Sequence, residues 1–408
     1  MVDSSSGKVL AAAVAVQVFV MMVVGPCALV AGLVLAPSEL ARSILLLQII
    51  GMVLLVGDLT WLALAHERFG FVSVTTVATA ALRVALIAAV VRSSDDVVAY
   101  VIVSYLPQLG MTMAQFAYLS KQGLIRFEHL RFDFERALRN LRDAGPVIFL
   151  LVFGFIYNYS SAMILGAFGD FNAVSQFSTA YGFIQTASYL STVATMNLYS
   201  AKLARAHDDE KEARSLGAEF FQRTVWIGCA FAGFAWNLGP DLINYIYGPP
   251  FAHAARLFEV LSISIAISGV ATGLGFPLLV WHEQFRYSIS GVLAGIVNLL
   301  INAVGIPLFG VQAAAVSAIV SASVLAIYLL KLRSKIHPIN VLRLAVVPVA
   351  VTVLFSGASK LALLNGLFPL AIALLASYVC IGIWIEVRRS QRVMVAGSGL
   401  NEREEATV

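Results

Sequence analysis

Tyr287–Leu330 reads YSISGVLAGIVNLLINAVGIPLFGVQAAAVSAIVSASVLAIYLL, and between Arg286 and Lys331 it holds no charged side chain. Such a stretch crosses a hydrocarbon layer twice, because about 20 apolar residues in helix span roughly 30 Å. Pro307 and Gly310 mark the turn between the two passes. Strands do not account for it, since a membrane barrel needs segments of about ten residues with strict alternation. The expected fold class is therefore all-α and polytopic.

Outward from this pair, apolar runs of similar length give twelve spans. They lie near 10–36, 43–65, 71–91, 97–119, 146–168, 172–200, 223–247, 254–281, 287–308, 311–330, 342–363 and 367–386. The composition agrees, with 60% hydrophobic and 12% charged residues in 408 and a mean hydropathy of +0.86. A soluble domain carries about 25% charged residues, and one this apolar would expose large apolar patches, so a soluble enzyme is excluded. The first run follows Lys8 and is too long for the apolar core of a signal peptide, so it reads as a retained helix.

Placing the N-terminus in the cytoplasm puts alternate loops inside. Of the 27 lysines and arginines, 22 then fall inside and only Arg42 and Arg92 outside, while Arg83, Arg256 and Lys360 sit in or at the edges of spans. That asymmetry supports an even helix count with both termini cytoplasmic, since one missed span would invert every later loop. Two inside segments are long. In 121–145, Leu124, Phe127, Leu130, Phe134, Leu138 and Leu141 recur at spacings of three and four, the pattern of an amphipathic helix lying on the inner leaflet. Lys202–Arg214 mixes both signs and reads as a solvated helical extension. The tail 391–408 is short and polar and reads as disordered.

No chemistry of an enzyme appears. The six histidines lie apart in loops or at span ends without metal spacing, and no Walker motif is present for bound ATP. No cofactor, metal, catalytic residue or nucleic-acid partner is expected. Cys27, Cys229 and Cys380 lack disulfide or redox spacing.

What remains informative is the polar content of the spans. Arg83 stands in the middle of the third, where a lipid-facing charge costs at least about 2.5–3.5 kcal/mol. It lines a substrate cavity, pairs with Asp58 of the second span, or does both, and Asp58 is an acid that also qualifies for ion coupling. Gln108 and Gln115 mark the fourth span, Tyr157, Asn158 and Tyr159 the fifth, and Gln176, Tyr181 and Gln185 the sixth. Asn298 and Asn302 stand one helical turn apart in the ninth. Each is a hydrogen bond between helices or a ligand contact. Pro26, Pro107, Pro277 and Pro307, with Gly269, Gly273 and Gly275, suit helices that bend. Arg256 and Glu259, three residues apart at the start of the eighth span, are placed to pair at the outer interface.

Two stretches carry a resemblance. YGPPFAHAARLFEVLSISIAISGVATGLGFPLL (247–279), followed by NLLINAVGIPLFGVQAAAVSAIVSAS (298–323), resembles the C-terminal lobe of polysaccharide flippases of the multidrug, oligosaccharidyl-lipid and polysaccharide exporter superfamily, on Tyr247, Gly248, Asn298, Asn302, Pro307 and Gly310. Upstream, PVIFLLVFGFIYNYSSAMILGAFGDFNAVSQFSTAYGF (146–183) is similar to the family's entry into that lobe.

The resemblance implies a division into an N-terminal bundle of four helices (1–120), an amphipathic linker (121–145), a six-helix bundle (146–334), an accessory helix pair (335–390) and a tail (391–408). The family has six helices before its linker, so the first two are expected to be lacking here. The implied function is translocation of an undecaprenyl-diphosphate-linked glycan across the bacterial cytoplasmic membrane, for lipopolysaccharide or exopolysaccharide biosynthesis, by two bundles rocking about a central cavity. The implied partners are the lipid bilayer, a polysaccharide polymerase and glycosyltransferases. Arg83 would meet the diphosphate, and Gln108, Asn158, Tyr181, Gln185 and Asn298 the sugars. An ion-coupled small-molecule exporter, a membrane glycosyltransferase or polymerase, and an inactive truncated transporter stand as alternatives. The short outer loops argue against the second of these.

Overall fold

The computed structural model describes residues 38–124 apart from 67 and 94, residues 145–378 apart from 375, and isolated positions elsewhere. Most of the first span and of the amphipathic linker, together with the end of the twelfth span, the tail, Cys27 and Cys380, lie outside the described residues. Among the described residues every regular element is a helix. The chain divides into two compact units, 1–145 and 146–408.

The first unit contains α1 (Glu39–Val56), α2 (Thr60–Ala65), α3 (Phe69–Val90) and α4 (Val97–Lys121). The expected single span 43–65 is therefore broken at Gly57–Leu59. A break inside an apolar layer frees backbone groups that lipid cannot satisfy. Here side chains satisfy them. The Asp58 carboxylate accepts from the Thr60 N–H at 2.8 Å. Gln115, fully buried on α4, accepts from the Leu59 N–H at 2.9 Å and donates to Thr60 Oγ1 at 2.8 Å. Around this point Leu59, Leu62, Ala63 and Leu119 form a small core, and Phe71 stacks on Tyr118 with ring centroids 3.9 Å apart.

The second unit runs through α5 (Gly145–Ala167), α6 (Phe171–Arg205), α7 (Glu210–Tyr247), α8 (Ala252–Leu261), α9 (Ile263–Val280), α10 (Gln284–Phe309), α11 (Val311–Arg333) and α12 (Val341–Leu364). Gly145, the first residue of α5, is also the last of the first unit. A further apolar helical stretch, Phe368–Tyr378, follows. Six described helices, α3, α4, α9, α10, α11 and α12, are long and apolar enough to cross a membrane. Helix ends are set locally: Asp170 caps α6, Asp209 caps α7 and Asn340 caps α12, each accepting from backbone N–H groups of the first turn. Gly310, at φ 60°, makes the one-residue turn between α10 and α11 that a side chain would strain.

Among the glycines expected to let helices bend, Gly269 also allows close contact between helices. Gly269 and Gly228 bring α9 and α7 so close that a Cβ on Gly269 would lie 2.8 Å from the Thr224 carbonyl and one on Gly228 3.1 Å from the Gly269 Cα. The accessory α12 docks on α7 through Ser356 against Gly233. At its far end Lys360 pairs with Glu259 at 2.8 Å. This corrects the expected Arg256–Glu259 pair, because α12 supplies a cation that reaches across from another helix.

Candidate functional site

On α5, residues two and three positions apart serve different polar groups. Asn158 turns to α6, where Tyr181 and Gln185 stand one turn apart. Its Oδ1 accepts from Tyr181 Oη at 3.2 Å and from Gln185 Nε2 at 2.7 Å, while its Nδ2 donates to the Gly154 carbonyl at 2.7 Å. Asn158 and Gln185 are only half-buried, so this group offers polar atoms at a surface of the second unit. Three of the residues expected to contact ligand are thus brought together.

Asn298 is not with them. Ser160 and Ser161 turn to α10 and α11, where with Asn298, Asn302, Ser317 and Ser321 they make a six-residue network at most 4% exposed. Ser160 Oγ donates to Asn298 Oδ1 at 2.6 Å, Asn302 Nδ2 donates to Ser161 Oγ at 2.9 Å and to Asn298 Oδ1 at 2.8 Å, and Ser317 Oγ donates to Asn302 Oδ1 at 2.6 Å. Asn298 Nδ2 donates to Ser321 Oγ at 3.0 Å. The carboxamide of Asn298 is consumed in tying α5, α10 and α11, which corrects its expected place beside a ligand.

In the first unit, Arg83 lies on α3 in a row with Thr76 and Thr79. It is exposed and has no hydrogen bond or ion pair among the described residues. The alternative Asp58–Arg83 pair is absent, because Asp58 is engaged in closing the α1–α2 break. Gln108 is half-buried on α4 with no hydrogen bond to a described residue. Gln115, noted in the sequence as a polar residue of the fourth span, proves to be the group that seals the break. Its signal was Gly57–Asp58 inside an apolar run. Arg333, counted in the sequence with the cations of an inside loop, is fully buried. Among the described residues no group of three His, Cys, Asp or Glu could hold a metal ion.

Residues 3–199 match the family model described as polysaccharide biosynthesis protein. No curated protein sequence matches the chain. In fold, the chain is similar to a structure of the lipid II flippase MurJ in an inward closed conformation, with a TM-score of 0.72, 11% identity, and 92% of this chain and 84% of that one covered. It is also similar to an outward-facing multidrug resistance MATE family transporter of the MOP superfamily, with a TM-score of 0.56, 12% identity, and 82% and 84% covered. The sequence match covers just under half of the chain, ending before the 247–323 region of the resemblance, and the likeness in fold extends over most of the length. The chain is accordingly a multi-pass membrane protein whose all-helical fold is like that of the MurJ and MATE structures, which are of transporters.

Proposed function

We propose that the protein is a flippase that carries a lipid-linked oligosaccharide, held on an undecaprenyl diphosphate, from the cytoplasmic to the outer leaflet of a bacterial cytoplasmic membrane, with both termini in the cytoplasm. The observation that carries this reading is Arg83: a guanidinium midway along an apolar helix, exposed and without a partner among the described residues. Facing hydrocarbon it would cost several kcal/mol. Facing a polar passage it offers the planar fork that grips phosphate oxygens. The first unit thus supplies a cation suited to a diphosphate. The second supplies neutral donors and acceptors suited to sugar hydroxyls, in Asn158, Tyr181 and Gln185. Gln108, with its carboxamide uncommitted, belongs to the same reading.

The test is Arg83→Ala in the native host, with surface polysaccharide and membrane abundance measured together. Polymer is expected to disappear while the protein reaches the membrane in normal amount. Normal polymer in the variant sinks the reading. The likeness to a multidrug transporter favours a second reading, a small-molecule exporter. Under it, loss of the protein would raise sensitivity to small cationic drugs and leave polymer intact.

A further inference from the structure

Arg333 ends α11 between Lys331 and Lys335, yet its side chain is fully buried. Its Cζ lies 4.4 Å from the centroid of the Trp281 ring, and its Nη1 donates to the Ile336 carbonyl at 2.6 Å. Gly217 on α7 leaves the space it fills, since a Cβ there would collide with Nη2. Trp281 is itself fixed by donation from Nε1 to the Leu203 carbonyl at 2.9 Å. Three turns therefore close over one cation: the end of α6, the α9–α10 turn and the α11–α12 turn. His282 and His337, at φ 61° and 45°, hold two of those turns in the left-handed region that non-glycine residues seldom adopt.

Two of the guanidinium nitrogens, Nε and Nη2, have no acceptor among the described residues. They share one edge of the fork, the edge that takes an oxyanion through two parallel hydrogen bonds. Acids on the neighbouring turns are engaged elsewhere, Glu210 with Arg214 at 2.8 Å and Glu283 with Arg286 at 3.2 Å. Asp209 caps α7, Asp208 and Glu212 are exposed, and the remaining charged groups nearby are basic. His337 stands edge-on to Trp281 with centroids 4.9 Å apart, and its pKa is pushed down by burial and then by Arg333, His207 and Arg214, with Glu210 opposing. His207 has a buried Nδ1 without a partner, and its ring lies 6.1 Å from that of His282. A buried cation left without a counter-charge is costly, and its free edge has the shape of its missing partner.

We propose that Arg333 anchors an oxyanion site at this basic end of the second unit, taking a phosphate group on its Nε–Nη2 edge when the Trp281–Glu283 turn lifts. Phosphate is favoured over carboxylate by position: α11 is a membrane-crossing helix and Arg333 is its last residue, at the depth of lipid headgroups. A headgroup phosphate and free phosphate supply the same chemistry. The site is independent of the flippase reading, since it uses neither Arg83 nor the Asn158 group.

The test uses the purified full-length protein in phosphate-free detergent at constant ionic strength. Thermal unfolding is followed with inorganic phosphate and, separately, with dioctanoyl phosphatidic acid, for the wild type, Arg333→Lys and, as an exposed control, Arg286→Lys. Lysine keeps the charge and loses the fork. The wild-type midpoint is expected to rise with at least one probe, and the half-saturating concentration to increase about tenfold or more in Arg333→Lys, with Arg286→Lys unchanged. A response to inorganic phosphate identifies a soluble ligand, and a response to the lipid alone identifies a headgroup. Either supports the site. No response from the wild type, or an equal response from Arg333→Lys, overturns it. Should Arg333→Lys fail to fold, NMR of the wild type with 15N-labelled arginine decides: the effective probe is expected to shift the Nε–H resonance of a solvent-protected arginine, and an unchanged arginine spectrum rejects the proposal.

Discussion

The two polar groups that share α5 contain the same kinds of atoms and differ in what is left over. The Ser160–Ser161–Asn298–Asn302–Ser317–Ser321 network is dry and closed, and its carboxamides bond only one another and the serines. The Asn158–Tyr181–Gln185 group is half-buried, with Asn158 Oδ1 shared by two donors and the Gln185 carboxamide only partly used. In hydrocarbon a satisfied polar group acts as glue between helices, while a spare valence facing a polar phase can exchange partners with a solute. Position along a span does not separate the two uses; the partners do.

The comparison breaks most sharply at Asn302. Asn302→Leu takes one hydrogen-bond partner each from Ser160, Ser161, Ser317 and Asn298 inside the buried network, and it is expected to lower stability by about 2 kcal/mol. Thermal unfolding of the purified protein measures this. Transport per folded molecule should be nearly unchanged, and a large loss per molecule would move the network into the transport path.

Asn158→Ala should behave in the opposite way. Expected is a fall in translocation of about tenfold, equivalent to about 1.4 kcal/mol, with little change in unfolding temperature, because Asn158 and Gln185 are only part-buried. Tyr181→Phe, which removes only one donor at 3.2 Å, should give a smaller effect in the same direction. An equal loss of stability in Asn158→Ala and Asn302→Leu would erase the distinction between the groups.

Much of the fold was legible in the sequence because apolar length and loop charge report directly on a bilayer. The breaks were not. Ser262 scarcely disturbs the hydropathy of its run, and although Gly57–Asp58 marks the first break, what permits it is Gln115, more than 50 residues away. Asn298 and Asn302 were read on one face, as found, but which helices that face meets is a tertiary fact. Asn158, Tyr181 and Gln185 were named singly, and the crossing of α5 and α6 made them a group. Arg333 was miscounted among solvated cations, since nothing local announces the burial that Trp281 and Gly217 impose.

Smaller effects belong to the ion pair at the edge of the second unit. Lys360 and Glu259 are each partly exposed, and the pair joins the accessory helix to α8. Lys360→Met keeps the length of the side chain and removes the charge that pairs with Glu259 and lies 5.7 Å from the Trp236 ring centroid, so the expected cost is about 0.5 kcal/mol. Unfolding at low and at molar salt checks it: the wild type should approach the variant as salt rises. A cost near that of Asn302→Leu would show that the accessory helix is as integral to the unit as the buried network.

The least costly contact lies in a surface turn. In the turn before α4, the Asp96 carboxylate accepts from the backbone N–H groups of Arg92 and Ser93, both at 2.9 Å. Those bonds hold its pKa below the ordinary 3.8, the Arg92 bond contributing most, against a slight opposing effect of burial. A carboxyl group more acidic in the folded than in the unfolded chain stabilises the fold above the unfolded value and ceases to do so as pH falls through the folded one. Asp96→Asn should therefore unfold slightly earlier than the wild type at neutral pH, and the two should converge once the medium is more acidic than the ordinary carboxylate range. A gap that persists at low pH would mean that the turn depends on the shape of the side chain and not on its charge. It would then resemble the uncharged network on α5 more closely than an ionic contact.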